Sequence, residues 1–174
     1  VYSKEMEHDA CGVGLIASTE GKKSREVVEY GIEALKAVWH RGAVDADGKT
    51  GDGAGIHLEI PKDFFVEKIE VTGHTHDGSD ICVGMIFLPR NDYASQESCK
   101  TIVESELTKN DFSIYGWRQV PVNPKVLGEK ALQTMPEIIQ VLFKANNKNL
   151  LDKDLERKIY ETRKKIENKA FNLS

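Results

Sequence analysis

The run Ile81-Cys82-Val83-Gly84-Met85-Ile86-Phe87-Leu88 constrains the fold more than any other stretch. It is almost wholly apolar, and at this length it reads as a central strand. It needs neighbours, and the rest of the chain offers several. Cys11 to Ala17 reads as a first strand, turned by Glu20-Gly21-Lys22-Lys23 into a helix that Ser24 caps, with Glu26 in its first turn. Val27, Gly31, Ala34 and Val38 mark one face of that helix, which ends near Trp39. Ile56, Leu58 and Ile60 alternate with His57 and Glu59, the pattern of a half-buried strand. Pro61 stops it and starts a short helix through Phe64-Phe65, and Val71 to Asp80 is a polar loop tip.

Downstream, Cys99, Ile102, Val103 and Leu107 form the buried face of a helix between Tyr93 and Lys109. Phe112 to Val120 reads as a strand ended by Pro121 and Pro124, and Lys125 to Thr134 as weakly helical. Ile138 to Phe143 is a strand bounded by the Asn146-Asn147-Lys148-Asn149 turn. Leu151, Leu155, Ile159, Thr162 and Ile166 line a last amphipathic helix, and Lys158 to Lys169 reads as its solvated face. Strands and helices mix without a regular βαβ repeat, internal repeat or linker.

A chain of 174 residues is long enough for one domain with a real core. A net charge of -4 leaves no basic footprint for nucleic acid, and no lysine/arginine block faces a membrane. No apolar run approaches the length needed to cross a bilayer, and no secretory leader is visible. Three cysteines, Cys11, Cys82 and Cys99, in no metal-binding spacing fit a reducing, cytoplasmic setting. The start at Val1 and the unfinished helical pattern at Ser174 suggest a piece of something longer.

Cys11 is the residue best placed for chemistry. It opens an apolar run and is followed by Gly12 and Gly14, which let a ligand or another chain approach the backbone closely. One reading is a small apolar thiol opening a core strand. The other is a nucleophile. A free thiol has a pKa of about 8.5 and needs a base or positive charge nearby. Cleavage between Ala10 and Cys11 would create an α-amino group beside the sulfur. Its pKa of about 7.7–8.0 lets it accept the thiol proton.

From His40 to Gly55 the chain is rich in glycine and aspartate and has no hydrophobic period, so it is a long loop. Loops of this kind in compact domains are usually functional or disordered. Gly48-Lys49-Thr50 does not make a phosphate loop. Five residues separate Gly42 from Gly48 where the motif needs four, and the loop leads into a strand. Arg41 either lines a site or pairs with a carboxylate of the following loop. His74, His76, Asp77 and Asp80 lack metal-ligand spacing and read as an exposed polar loop. His57 faces solvent, and Cys82 and Cys99 lie on packing faces.

The order Asp-Ala-Cys11-Gly-Val-Gly, His40-Arg-Gly-Ala, Ala46-Asp-Gly-Lys-Thr-Gly-Asp-Gly-Ala-Gly resembles the amino-terminal class II glutamine amidotransferase domain of glutamate synthase large subunits. The similarity is densest between Asp9 and Gly55. It recurs at Gly84 to Pro89, Gly116-Trp117-Arg118, Val126-Leu127-Gly128 and Glu156 to Tyr160. The resemblance implies an α+β fold, the amino-terminal-nucleophile hydrolase sandwich of four layers, αββα, of which this chain holds the first part. It implies residues 1–10 as a leader or propeptide and 11–174 as amidotransferase domain.

By the same resemblance Cys11 is the nucleophile that attacks the carboxamide of L-glutamine. Arg41 and Gly42 help bind substrate, while Gly51, Asp52 and Gly53 form a structural loop beside the site. No metal or cofactor is expected within the chain. FMN and an iron–sulfur cluster belong to the synthase domains of the same polypeptide, which use the released ammonia. A small electron-donor subunit is a further expected partner, the donor itself being open. An amide hydrolase without ammonia transfer, or a non-catalytic remnant serving as a binding or assembly module, are the alternatives. The glutamine clamp and oxyanion donors fall, in the family's order, after Ser174, so the chain alone is expected to be inactive.

Overall fold

The computed structural model describes residues 12–39, 42–51 and 53–173. The chain divides into two compact units, Val1–Glu59 with Asn123–Thr134, and Ile60–Val122 with Met135–Ser174.

The second unit is built on strands β1 (Cys82–Leu88), β2 (Phe112–Gln119) and β3 (Glu137–Ala145). They form an antiparallel sheet in the order β1-β3-β2. Ile81–Leu88 does yield a strand, but an edge strand. The central place belongs to β3, which buries five consecutive residues from Ile139 to Phe143, whereas β1 leaves Met85 and Phe87 exposed. An unbroken run of buried residues needs cover on both faces as well as partners on both edges, and only β3 has both.

Helices α3 (Tyr93–Lys109) and α5 (Asp152–Phe171) cover one face. Cys82, Val103, Leu107, Phe112, Val141 and Phe143 form the core there, with Leu155, Ile159 and Ile166 packed against it. Asp92 caps α3 by accepting the Ser95 N–H at 3.0 Å. The lysines of α5 are not simply a solvated face. Lys158 meets Asp111, Lys165 donates to Asn110, and Lys169 pairs with Glu106 at 2.5 Å, a carboxylate almost withdrawn from solvent. These bonds fasten α5 to α3 and the turn that follows it.

Helix α2 (Lys62–Val71) covers part of the opposite face. It runs longer than the short helix expected after Pro61, because Phe65 and Ile69 reach Tyr115 and Leu142. Its end is locked by a bulge in β2 between Ile114 and Gly116. Thr72 Oγ1 donates to the Tyr115 carbonyl at 2.9 Å, and a Cβ on Gly116 would lie 2.8 Å from the Thr72 methyl. Gly116 also takes φ +151°, so its lack of a side chain serves both geometry and contact.

The first unit contains α1 (Arg25–Ala37), a 3₁₀ turn at Pro124–Val126 and the short α4 (Glu129–Thr134). Ser24 caps α1, accepting from the Val27 N–H, with Glu26 in the first turn as its sequence requires. The strands expected at residues 12–17 and 56–60 are not formed. Neither stretch pairs with a partner among the described residues, and Val13 and Leu15 stand 91% and 89% exposed. Apolar alternation specifies which face a strand would bury; it supplies no second backbone to bond with.

Candidate functional site

The elements that bear on the expected site all belong to the first unit. Cys11, Arg41 and Asp52 lie outside the described residues. Their flanks are visible. Gly12 to Ala17 belong to no helix or strand, and Gly14 has open space where a side chain would be. Gly42 closes a turn at the end of the first helix, its N–H donating to the Trp39 carbonyl at 3.0 Å.

Between Val44 and Gly51 the loop is a small hairpin. Val44 and Gly51 form an antiparallel bridge, the Asp45 N–H donates to the Thr50 carbonyl at 2.7 Å, and the Gly48 N–H donates to the Asp45 carbonyl. Asp47 organises the tip. Its Oδ1 accepts the N–H groups of Lys49 at 2.9 Å and Thr50 at 2.7 Å, and its Oδ2 accepts the Thr50 hydroxyl at 2.5 Å. These bonds hold its carboxyl far below the usual carboxylate range, the Thr50 hydroxyl contributing most. Lys130 reaches Asp45 at 2.5 Å and lowers that carboxyl as well. No helix is assigned from Gly53 to Pro61, so Gly48-Lys49-Thr50 has no helix terminus to offer a phosphate.

A groove of about 620 Å³ is lined by Val27, Gly31 and Leu35 of α1, by Val38, which caps that helix, and by residues 12–16 and 55–59. Gly31 and Ile56 approach closely there, a Cβ on the glycine lying 3.1 Å from the Ile56 side chain. The lining is mainly apolar. Its floor is the helical face read from Val27, Gly31, Ala34 and Val38.

His57 lines the same groove, while His76, Asp77 and Cys82 belong to the second unit. His57 is exposed on an extended segment. Asp77 is not a free loop carboxylate: Lys144 at 2.7 Å and Lys148 at 3.0 Å clamp it, Tyr115 donates to it, and Lys144 above all drives its carboxyl far below the ordinary range. His76 bonds the Ser79 carbonyl at 2.8 Å. No group of three potential metal ligands occurs among the described residues. Cys82 is buried in the core, and that burial pushes its thiol up to about 11. A thiol kept neutral in an apolar core does not suit an iron–sulfur cluster, which is held by thiolates.

The sequence reading passed over one constellation. Gly128, Lys130 and Ala131 close on the hairpin tip: the Ala131 N–H donates to Thr50 Oγ1, and Gly128 packs against Thr50 and Asp47. Aspartate three residues before threonine is a recurrent turn signal, but nothing in the sequence announces its docking partner some eighty residues on.

Comparison with known proteins places these features. The model of the class-II glutamine amidotransferases matches residues 11–174, beginning at Cys11. The chain is 55% identical over 95% of its length to the NADPH glutamate synthase large chain of Azospirillum brasilense, and covers 11% of that protein. It is 42% identical over 92% of its length to ferredoxin-dependent glutamate synthase 1 of Arabidopsis thaliana, covering 10% of it. The ferredoxin-dependent glutamate synthase of Pyropia yezoensis is 40% identical over 96% of the chain, which covers 11% of that relative. The chain thus spans about a tenth of the length of these relatives. With the match running from Cys11 through the last helix, the chain belongs to the class-II glutamine amidotransferases.

Proposed function

We propose that this chain is the glutaminase portion of a glutamate synthase large chain. The observation that carries the reading is 55% identity over 95% of the chain to the Azospirillum large chain, within a family match that starts at Cys11. Removal of residues 1–10 frees the α-amino group of Cys11. That amine takes the thiol proton, and the thiolate attacks the carboxamide carbon of L-glutamine. The tetrahedral adduct collapses as the protonated amine returns its proton to the leaving nitrogen, releasing ammonia and leaving a thioester. Water, deprotonated by the same amine, attacks the thioester carbonyl, and glutamate departs as the thiol is restored.

Arg41 and Gly42 bind substrate, and Gly51, Asp52 and Gly53 shape the loop beside the nucleophile. The four-layer αββα sandwich is completed by chain that the longer relatives carry. The ammonia passes to synthase domains of the same polypeptide, with FMN and an iron–sulfur cluster held there, in the cytoplasm.

The test is made on the full-length polypeptide. Cys11→Ser is expected to abolish glutamine-dependent glutamate formation while ammonia-dependent formation persists, an alcohol being far less nucleophilic than a thiolate at neutral pH. Persistent glutamine use by that variant overturns the assignment of Cys11. A mature protein that retains residues 1–10 and still consumes glutamine overturns the α-amine as base.

A further inference from the structure

We propose that a hollow at one end of the second unit's sheet binds a small zwitterion, an α-amino acid whose carboxylate meets Arg90 and whose ammonium meets Glu137 and Gln96. The inference goes beyond the glutaminase reading and does not depend on it.

The hollow measures about 370 Å³, within the range of about 300–1,000 Å³ usual for small-molecule sites. It lies wholly in the second unit, where β1 and β2 end, β3 begins and α3 starts. Leu88 pairs with Glu137 there, and Gln119 with Ile139. Alternate residues of a strand share a face, so Glu137 and Ile139 stand on the side of Val141 and Phe143, the side of the core under α3. Gln119 follows Trp117 in the same way. On α3, Gln96 and Lys100 share the stripe of Val103 and Leu107. Three core-facing stripes therefore turn from apolar to polar at the same end of the sheet. Stripes meant only to pack on one another would stay apolar, yet Ile139 is the only aliphatic side chain in the lining.

The polar groups are only partly satisfied. Gln96 is 8% exposed, and its amide nitrogen donates to the carbonyls of Pro89 at 2.7 Å and Arg90 at 3.2 Å. Both amide hydrogens are thereby used, and its Oε1 has no hydrogen-bond partner among the described residues. An amide oxygen so far withdrawn calls for a donor. Glu137 accepts from Gln119 Nε2 on Oε1, and its Oε2 has no partner among the described residues. Lys100 pairs with Glu97 at 2.8 Å, while the Arg90 guanidinium makes no ion pair or hydrogen bond with any described residue.

These remainders select the ligand. An anion alone would meet the Glu137 carboxylate unscreened, and a cation alone would meet the Arg90 guanidinium. A molecule carrying both charges answers each with the opposite sign, and its ammonium also supplies the donor that Gln96 Oε1 lacks. A guanidinium holds a carboxylate in a bidentate fork, which fixes the ligand's orientation. Ile139 offers an apolar contact to a short side chain.

Saturation-transfer NMR on the full-length polypeptide tests the site, with dissociation constants read from the concentration dependence. The probes are L-alanine, propionate and ethylamine, which carry both charges, the carboxylate alone and the ammonium alone. L-Alanine should give a saturable signal, and the other two should bind at least about 10-fold more weakly, the scale of one lost hydrogen bond to a charged group. Arg90→Gln and Glu137→Gln should each weaken L-alanine by about 10- to 100-fold. Gln96→Leu should weaken it too; where that buried change prevents folding, the two charge variants still decide, since neither position is buried. No saturable L-alanine signal overturns the proposal. So does propionate or ethylamine binding as tightly as L-alanine. L-Alanine binding unchanged in folded Arg90→Gln or Glu137→Gln also overturns it, placing the amino acid elsewhere and leaving the glutaminase reading untouched. A polypeptide that binds L-alanine as expected but consumes no glutamine supports this site and removes the glutaminase reading alone.

Discussion

Leu142 and Leu15 are the same residue type in two strand-like patterns, yet one has no exposure and the other is 89% exposed. Leu142 belongs to β3, which has a backbone partner on either side and helices over both faces. Leu15 belongs to a segment with no partner strand among the described residues. Among the described residues of the first unit only Gly128 is buried, against the hairpin tip, and its Lys23–Glu59 ion pair is exposed and contributes little. The contrast teaches that alternation is a conditional instruction. It selects a face to bury, and folding follows only when a second surface accepts that face.

The largest expected effect sets the two leucines against each other. In the 174-residue chain Leu142→Ala should cost about 2–5 kcal/mol and Leu15→Ala no more than about 0.5 kcal/mol, measured by denaturant unfolding. Equal costs would mean that the first unit has an interior of its own. A smaller effect separates two glycines. Gly84→Ala places a Cβ 2.7 Å from a Val141 methyl in the sheet and should cost about 1–3 kcal/mol, while Gly14→Ala meets nothing within 4 Å and should be nearly neutral. The two helix caps come next. Asp92→Ala should lower the stability of the second unit by about 1 kcal/mol. Ser24→Ala should cost α1 a similar amount, read instead as faster local amide exchange, since that helix buries no residue. Unfolding midpoints that respond alike to both caps would erase the distinction between the units.

A last effect shows itself only in alkali. Burial raises the Cys82 thiol from 9.0 to about 11. The folded state thus holds its proton more tightly than the unfolded chain. The stabilisation is complete below pH 9 and declines as pH rises towards 11. Amide exchange in β1 and β3 should therefore quicken over that window, and Cys82→Ala should remove the dependence. An unaltered alkaline decline in that variant would assign it to another group.

Where local chemistry and long-range partners agree, the sequence was readable. Helix α3 occupies Tyr93–Lys109 as its apolar spacing and Asp92 cap require, and α5 presents Leu155, Ile159, Thr162 and Ile166 inward. The family was legible for a different reason, since the Cys11 and His40–Gly55 motifs follow one order through the chain. Two kinds of information were not local. One was strand order: the most apolar run took the edge, because centrality is decided by what flanks a strand. The other was the docking of Gly128 on the hairpin tip, where a glycine's meaning lies in a contact with Thr50. The lysine partners of Asp77 were hidden for the same reason, being contributed by the end of β3 and the turn after it.

The bond between the Trp117 indole and Glu104 has an optical consequence. The chain has two tryptophans, and they fall one to each unit. Trp117 bridges β2 to α3, its indole N–H donating to Glu104 at 2.7 Å, and it packs against the core. Trp39 stands 74% exposed at the end of α1. A water-soluble quencher therefore extinguishes the emission of one unit before the other, and the light that survives reports the sheet alone. Each unit can be followed through its own indole without a label being attached.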